Sequence, residues 1–252
     1  TYDGADGASI GTDALAFTFT QAITSGVDGS YNHLATISRN GAVEAASFNA
    51  TGDVIAASLS SSGDATINNL TIGRGGGNQS NNTAVGNLAL NSNTTGNYNT
   101  AIGSGALTSN QPGGDKNTAV GYNTLFQNTS GYSNTSLGYS SLISNTTGSD
   151  NTAVGYAASY RNTTVNSNTT CGVQSLYYNT SGYSNTSFGL KALYNNTSGI
   201  NNASFGYQSG VDLSGNSNYN TFLGAISNVA SSANIYNYST ALGYGSTITA
   251  SN

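Results

Sequence analysis

Charged residues are scarce in this chain of 252 residues: 6% are Asp, Glu, Lys or Arg, where globular domains average about 25%. The sequence has 1 Pro, 1 Cys and 1 His, and no Met or Trp. A single Pro excludes a collagen triple helix, and a single Cys excludes a disulfide framework. With Lys+Arg at 5, a nucleic-acid interface is not expected. No apolar run reaches the ~20 residues of a transmembrane helix, so membrane insertion is not expected either.

Small polar residues take the place of the missing charges. The chain contains 33 Gly and is rich in Asn, Ser and Thr, all of which form helices poorly. This composition excludes a long helix or coiled coil and leaves intrinsic disorder as the main rival to an all-β fold. The internal repeats described next argue against disorder.

One sequence unit recurs ten times from residue 82 onward. Its core is Asn-Thr-Ala-Val-Gly at residues 82–86, and later copies follow at steps of 17 to 19 residues. Repeats of this length indicate a solenoid. The Gly that ends each core tolerates unusual backbone angles, so it predicts a bend. These predicted bend residues are Gly86, Gly103, Gly121, Gly138, Gly155, Gly172, Gly189, Gly206, Gly224 and Gly243.

The rest of each unit predicts a second strand and a closing turn. A Leu often lies four residues after the Gly, as at Leu90 and Leu107, and Asn-Thr-Thr-Gly or Asn-Thr-Ser-Gly often ends the unit. Asn and Gly favour tight turns. The order is then strand, Gly bend, strand and Asn/Gly turn. We predict an all-β fold, a repetitive parallel β-roll or β-solenoid of about ten 17-residue turns, preceded by a shorter β-repeat shaft.

Alternation along the first strand leaves two arrangements open. The Ala or Ser of the core shares a face with the Gly, whereas the Thr and the bulky apolar residue share the other face. Either the small residues line a narrow interior and the bulky ones pack against neighbouring chains, or the bulky ones fill the interior of a monomer. We favour the first, because so continuous an exposed row marks an interface. The bulky residues are Val85, Ile102, Val120, Leu137, Val154, Cys171, Phe188, Phe205, Leu223 and Leu242.

The N-terminal part of the chain is organised differently. Residues 14–20 alternate apolar and polar side chains and predict a strand. Between Gly41 and Gly73 a Gly recurs every 10 or 11 residues, which suggests an intertwined shaft. The Gly-rich residues 74–80 indicate a hinge. We therefore divide the chain into residues 1–40, an N-terminal β segment for docking or assembly, residues 41–76, the shaft and hinge, and residues 77–252, the β-roll.

The repeat units resemble the head repeats of YadA-type trimeric adhesins and, more closely, repeats of phage tail-fibre proteins. The likeness rests on the Asn-Thr-Ala-Val-Gly-Tyr units, on residues 239–250 and on the lead-in at residues 63–75. Units of 17 residues depart from the roughly 14-residue units of the adhesins. The resemblance implies a left-handed parallel β-roll, a trimeric state and a place in an extracellular fibre that touches cells.

Residues that often carry catalysis or metal binding are isolated here. His33 lacks the context of a hydrolase triad. Cys171 occupies an apolar slot, and residues 73–77 lack the Lys-Ser/Thr ending of a phosphate loop. Asp53 and Asp64 are predicted in turns. They are 11 residues apart, which favours a row of carboxylates along the shaft over the converging carboxylates that a calcium site needs. A glycan-cleaving enzyme needs paired carboxylates, and the repeats place Asp115, Asp150 and Asp212 in different turns. We expect no enzyme activity, no cofactor and no metal.

Sequons of the Asn-x-Ser/Thr type are frequent within the repeats. In a secreted eukaryotic protein they would be glycan sites. The repeat itself also supplies Asn for turns and Thr for strands, so many matches are expected by coincidence. The sequons considered are at Asn93, Asn128, Asn134, Asn145, Asn162, Asn179, Asn185 and Asn196.

Tyrosine is the main aromatic residue, with 17 Tyr against 7 Phe. Five of them follow the repeat Gly and would stack as a ladder, one turn apart. Tyr combines an apolar ring with a polar tip, which suits glycan or protein surfaces. The alternative is that stacked rings only stabilise the sheet. The candidates for glycan contact are Tyr122, Tyr139, Tyr156, Tyr207 and Tyr244.

The sequence thus favours a non-catalytic structural protein of an extracellular fibre, located on a virion or a cell surface and used for surface attachment. Its expected partner is itself, as a homotrimer or a helical filament, together with a cell-surface glycan or protein receptor. An alternative is a pilus-like filament subunit, with or without glycans, that polymerises end to end through its N-terminal segment. A strand such as residues 14–20 can add to an open sheet edge.

Overall fold

A computed structural model describes residues 36–37, 43–44, 65–67, 70–213 and 215–251. The chain divides into two compact units, Thr1–Leu59 and Ser60–Asn252. In the first unit, strand β1 (Thr36–Ile37) pairs antiparallel with β2 (Val43–Glu44). The strand predicted at residues 14–20 and most of the 11-residue repeat lie outside the described residues. The docking segment 1–40 is described only at Thr36–Ile37.

The second unit is a β-solenoid of about ten turns, which confirms the predicted fold class. Each turn contributes one short strand, and consecutive strands pair in parallel with equivalent residues opposite each other, as Leu137 is opposite Val120 and Val154. The strands of this stack are β5 (Thr83–Val85), β6 (Thr100–Ile102), β7 (Thr118–Val120), β8 (Thr135–Leu137), β9 (Thr152–Val154), β10 (Thr169–Cys171), β11 (Thr186–Phe188), β12 (Ala203–Phe205), β13 (Thr221–Leu223) and β15 (Thr240–Leu242).

An antiparallel hairpin precedes the stack. Strand β3 (Ala65–Ile67) pairs with β4 (Leu70–Gly73), and β4 pairs antiparallel with β5. The Gly-rich stretch predicted as a hinge includes a short 3-10 helix, Gly76–Asn78. The Gly76 N–H donates to the Leu90 carbonyl at 2.9 Å, and Gln79 Nε2 donates to the Thr94 carbonyl at 3.1 Å. This stretch therefore extends the stack at its N-terminal end.

The prediction of two strands per turn is wrong for most turns. Among the described residues, a second strand is found only as β14 (Asn228–Val229) and β16 (Thr247–Ile248), which pair with each other. In the other turns this side of the coil is a run of turns with alternating left-handed residues. Ser140 and Leu142 have φ of 53° and 47°. Left-handed backbone is unfavourable for a Leu by about 1–2 kcal/mol. The residue types in this segment therefore did not predict left-handed turns.

The run of turns is nevertheless hydrogen-bonded to both neighbouring turns. The Ser140 N–H donates to Tyr122 O of the preceding turn at 2.9 Å, and the Leu142 N–H donates to Ala158 O of the following turn at 3.0 Å. The Asn145 N–H closes its own turn by donating to Leu142 O at 3.1 Å. The backbone N–H and C=O groups that a second strand would have paired are thus paired by hydrogen bonds between and within the turns.

The interior is narrow and is lined by small residues. The side chain between the strand Thr and the bulky apolar residue is buried in every turn of the stack, from Ala84 to Ala241. Opposite this slot lies a column of buried leucines, among them Leu125 and Leu142. In one turn Gly210 replaces the Leu and Phe222 fills the space, because a Cβ on Gly210 would lie 2.9 Å from the Phe222 ring. In this turn the large Phe222 therefore compensates for the missing Leu.

Two columns of buried asparagines hold the corners of the coil. In the first, each Asn accepts from the backbone N–H of the equivalent Asn one turn later, as Asn134 N donates to Asn117 Oδ1 at 2.9 Å. In the second, every Asn bonds its own turn, and all but Asn196 also bond the turn before. Asn145 Nδ2 donates to Gly148 O at 2.9 Å and to Asn128 Oδ1 at 2.8 Å. No buried side-chain N or O among the described residues lacks a partner.

These columns contain all eight sequons considered above, so we expect glycosylation to be incompatible with the folded state. The eight Asn side chains are at most 2% exposed, whereas a glycan needs a free Nδ2 at the surface. An oligosaccharyltransferase acting on the folded protein should leave them unmodified, as glycopeptide mass spectrometry would report. The exposed Asn81, which begins an Asn-Asn-Thr sequon, is the internal control. A glycan found on Asn145 of folded protein would contradict this expectation.

Candidate binding groove between two tyrosine columns

The outer face of the stacked strands carries the row of ten bulky residues from Val85 to Leu242, here called the apolar row. Its members are half-buried or exposed, and Leu242 reaches 69% exposure. The Phe188 and Phe205 rings stack with centroids 5.4 Å apart. The small residues face the interior, and the apolar row faces outward. Packing of this row against neighbouring chains stays a prediction.

The ten glycines predicted as bends follow the strands directly. Their φ values lie between 104° and 142°, a region that disfavours any residue with a Cβ. In every turn from Gly86 to Gly224, a Cβ on this Gly would meet the Gly backbone of the next turn at 2.2 to 2.7 Å. The glycines thus permit both the bend and the close stacking of turns.

Three of the five predicted tyrosines form a continuous column. The Tyr122 and Tyr139 ring centroids are 5.2 Å apart, and those of Tyr139 and Tyr156 are 5.3 Å apart, with all three rings stacked. Tyr207 and Tyr244 occupy the same slot in later turns and are also exposed, but Val173 and Leu190 separate Tyr207 from the column. The predicted ladder is therefore limited to three turns.

A second tyrosine column begins in the last turn of the first column and was not predicted. Tyr160, Tyr177 and Tyr194 stack with centroid separations of 5.0 and 5.3 Å. They occupy the slot directly after the interior Leu column. Their regular spacing of 17 residues is visible in the sequence, so a search for every recurrent aromatic slot would have found them.

A groove of about 340 Å³ lies between the two columns. Tyr122, Tyr139 and Tyr156 form one wall, and Ile143, Tyr160 and Tyr177 form the other. The buried Ser140 and Ala157 also line it, as do Asn123 and Gln174. Stacking covers the ring faces inside each column, which leaves ring edges and hydroxyl groups as the surfaces open to a ligand.

Burial changes the pKa of two phenols in the second tyrosine column. Burial raises the pKa of Tyr177 above its ordinary value of about 10, and the neighbouring Tyr160 and Tyr178 raise it further. Burial also raises the pKa of Tyr194, with a hydrogen bond to Tyr178 as the next cause. A raised pKa of a phenol means that its contribution to stability is present below about pH 10 and is lost at higher pH. The phenols of Tyr177 and Tyr194 are therefore neutral hydrogen-bond donors and acceptors at physiological pH.

Two cations lie against the edge of the second column. The Arg161 guanidinium carbon is 4.9 Å from the centroid of the Tyr178 ring, and Lys191 Nζ is 5.3 Å from that of Tyr194. Cation–π contacts of this kind are worth about 0.5–1 kcal/mol at exposed sites. Neither cation lines the groove.

The other candidate catalytic and metal-binding residues that the structure describes do not form a cluster. No cluster of three or more His, Cys, Asp or Glu able to hold a metal is found among the described residues. Asp115 Oδ1 accepts from the Asn97 N–H at 2.7 Å, and Asp212 Oδ2 accepts from Asn228 Nδ2 at 2.7 Å. Cys171 is a free, half-buried thiol in the apolar row. His33, Asp53 and Asp64 lie outside the described residues.

Comparison with known proteins gave no relative. The chain matches no protein-family model, no curated protein and no solved structure. In the part of the chain that the structure describes, no helix is long and apolar enough to cross a membrane.

Proposed function

We propose that the protein is a non-catalytic structural component of an extracellular fibre, that its copies associate through the apolar row, and that the fibre attaches to surfaces. The observation that carries this proposal is the apolar row itself. Ten bulky side chains, one from each turn, lie on the outer face of a single sheet, and six of them are individually more than a third exposed. Contiguous apolar patches of that kind mark interaction sites on soluble proteins.

The occupant of the row is another copy of the same chain. Its strands recur at the parallel-sheet spacing of about 4.8 Å, so a second identical sheet presents bulky side chains at the same intervals. Two such sheets can interdigitate along the whole stack. A partner without this repeat would contact only a few of the ten side chains. Self-association also agrees with the resemblance to trimeric adhesin heads and tail-fibre repeats.

Replacement of the most exposed central members of the row tests the proposal. The variant carries Leu137→Thr, Phe188→Thr and Phe205→Thr, which place polar but strand-compatible, β-branched residues on the outer face. We expect the natural protein to sediment as a trimer or a larger assembly and the variant to sediment as a folded monomer. Analytical ultracentrifugation gives the mass, and circular dichroism confirms that the fold is kept.

A matched variant controls for the general loss of surface hydrophobicity. Val173→Thr and Leu190→Thr alter residues that are exposed to a similar degree, at 42% and 41%, but lie outside the row. This double variant should assemble as the natural protein does. A natural protein that stays monomeric, or a row variant that assembles unchanged, would refute assembly through the apolar row.

A further inference from the structure

The groove between the tyrosine columns is uncharged. None of its ten lining residues is Asp, Glu, Lys or Arg, and burial raises the pKa of Tyr177, so this phenol is protonated at neutral pH. A charged ligand would lose hydration on entering without gaining an opposite charge. The ligand that fits is therefore neutral.

The lining combines apolar and hydrogen-bonding residues. Tyrosine rings and Ile143 are the apolar part, and the tyrosines, Ser140, Asn123 and Gln174 are the residues that can donate and accept hydrogen bonds. A sugar ring presents the same combination, C–H groups on its faces and hydroxyls around its rim. Tyr is suited to such ligands because it is apolar in the ring and polar at the tip.

The groove repeats itself along the direction in which the turns stack. Each column offers a ring every 5.0 to 5.3 Å, so a ligand that lies along the columns meets an aromatic ring at each step. A polymer of identical units uses such a site better than a single compact molecule does. The first column is bounded by Ser104 in the turn before Tyr122 and by Val173 in the turn after Tyr156, which limits contact with this column to three turns.

From these features we propose that the groove binds a short segment of a neutral, unbranched polysaccharide, which lies parallel to the tyrosine columns. The proposal rests on the attachment function proposed above and gives it a site and a ligand class. Tyr139 is the middle ring of one wall, and Tyr177 is the last ring of the other wall, so together they test contact along the length of the groove.

Binding of defined oligosaccharides tests this inference. Isothermal titration calorimetry would measure the natural protein against four neutral hexasaccharides, those of the cello, malto, laminari and chito series. We expect saturable binding of at least one of them. The Tyr139→Ala, Tyr177→Ala variant should bind that sugar about tenfold or more weakly, a change of about 1.4 kcal/mol. Tyr139→Phe, which keeps the ring and loses the hydroxyl, should weaken binding less.

Tyr207→Ala is the matched control, because Tyr207 occupies the same repeat slot as Tyr139 and is equally exposed, at 49% against 50%, but lies outside the groove. It should bind like the natural protein. The inference is overturned if none of the four sugars binds, or if the double variant binds as well as the natural protein. Equal or tighter binding of an oligogalacturonate or of a proline-rich peptide would overturn the neutral-polysaccharide assignment.

Sedimentation of the same variants separates this inference from the proposed assembly. The groove variants leave the apolar row intact and should assemble normally, with an unchanged circular dichroism spectrum. Sugar binding by a protein that stays monomeric would refute the assembly proposal and leave the groove assignment standing. Normal assembly without sugar binding would refute the groove assignment and leave the assembly proposal standing.

Discussion

Gly138→Ala should destabilise the solenoid by about 2–6 kcal/mol, the sum of about 1–3 kcal/mol for backbone strain and a similar amount for overpacking. Gly138 has a φ of 130°, which disfavours any residue with a Cβ, and the added methyl group would lie 2.6 Å from the Gly155 carbonyl oxygen. That oxygen belongs to the backbone of the next turn, so relief requires the turns to move apart. Urea denaturation followed by circular dichroism measures the change in the free energy of unfolding.

Gly243→Ala separates the two contributions. Gly243 occupies the same slot in the last turn of the stack and also has a positive φ, of 104°, but a Cβ there would meet nothing within 4 Å. This variant should lose only the strain part, about 1–3 kcal/mol. Equal losses at Gly138 and Gly243 would show that the clash between turns contributes nothing, contrary to the stacking argument.

The period of the repeat determined most of the fold in advance. Ten copies of one unit, each with a β-forming core and a terminal Gly, have few ways to bury their apolar residues other than by stacking in register. The bend at Gly138 and its equivalents follows from local chemistry, because Gly has no Cβ and adopts positive φ without steric strain. These features depend on single residues or on the spacing, and both can be read from a sequence.

The second side of each turn could not be predicted, because it uses backbone that its residues disfavour in isolation. Leu142 and its equivalents adopt left-handed φ values near 50°, where bulky side chains are outliers. Stacking offsets this cost: the N–H of Leu142 bonds the next turn, and its side chain is fully buried. Strand propensities describe isolated segments and contain no information on such support from neighbouring turns.

The groove could not be predicted either, because it also depends on left-handed backbone. In a strand, residues 156, 158 and 160 would share one face, but Ala158 is buried while Tyr156 and Tyr160 both line the groove. The left-handed Ala157 and Ser159 between them, with φ of 52° and 50°, change the direction of the chain. One column of tyrosines was predictable from its slot after the Gly. Its juxtaposition with the second column was not.

Asn145→Asp should produce a large and pH-dependent loss of stability. Asn145 is fully buried, and its Nδ2 donates to Asn128 Oδ1 and Gly148 O at 2.8 and 2.9 Å. A carboxylate of the same shape would place an acceptor opposite these two acceptors and bury a charge. Each unsatisfied buried group costs about 1–3 kcal/mol, and more for a charged group, so we expect a loss of about 3 kcal/mol or more at neutral pH.

The pH dependence identifies the cause. Burial and the facing oxygens should raise the pKa of the new carboxyl in the folded protein above its unfolded value of about 3.9. Relative to neutral pH, the variant therefore regains stability as the pH falls through the folded pKa, and the gain is complete below the unfolded pKa. The protonated acid can donate one of the two lost bonds, so recovery is partial. Denaturation curves at about pH 7 and about pH 4 would measure it, each against the natural protein.

Two further variants make the interpretation specific. Asn145→Ala leaves the same acceptors without a donor but buries no charge, so its loss should be smaller and independent of pH relative to the natural protein. Asn91→Asp adds the same charge at an exposed position outside the two asparagine columns and should change stability by less than about 0.5 kcal/mol. If Asn145→Asp and Asn145→Ala lose equal stability at both pH values, the asparagine column does not discriminate against charge. The inward-facing carboxamides would then act only through their volume.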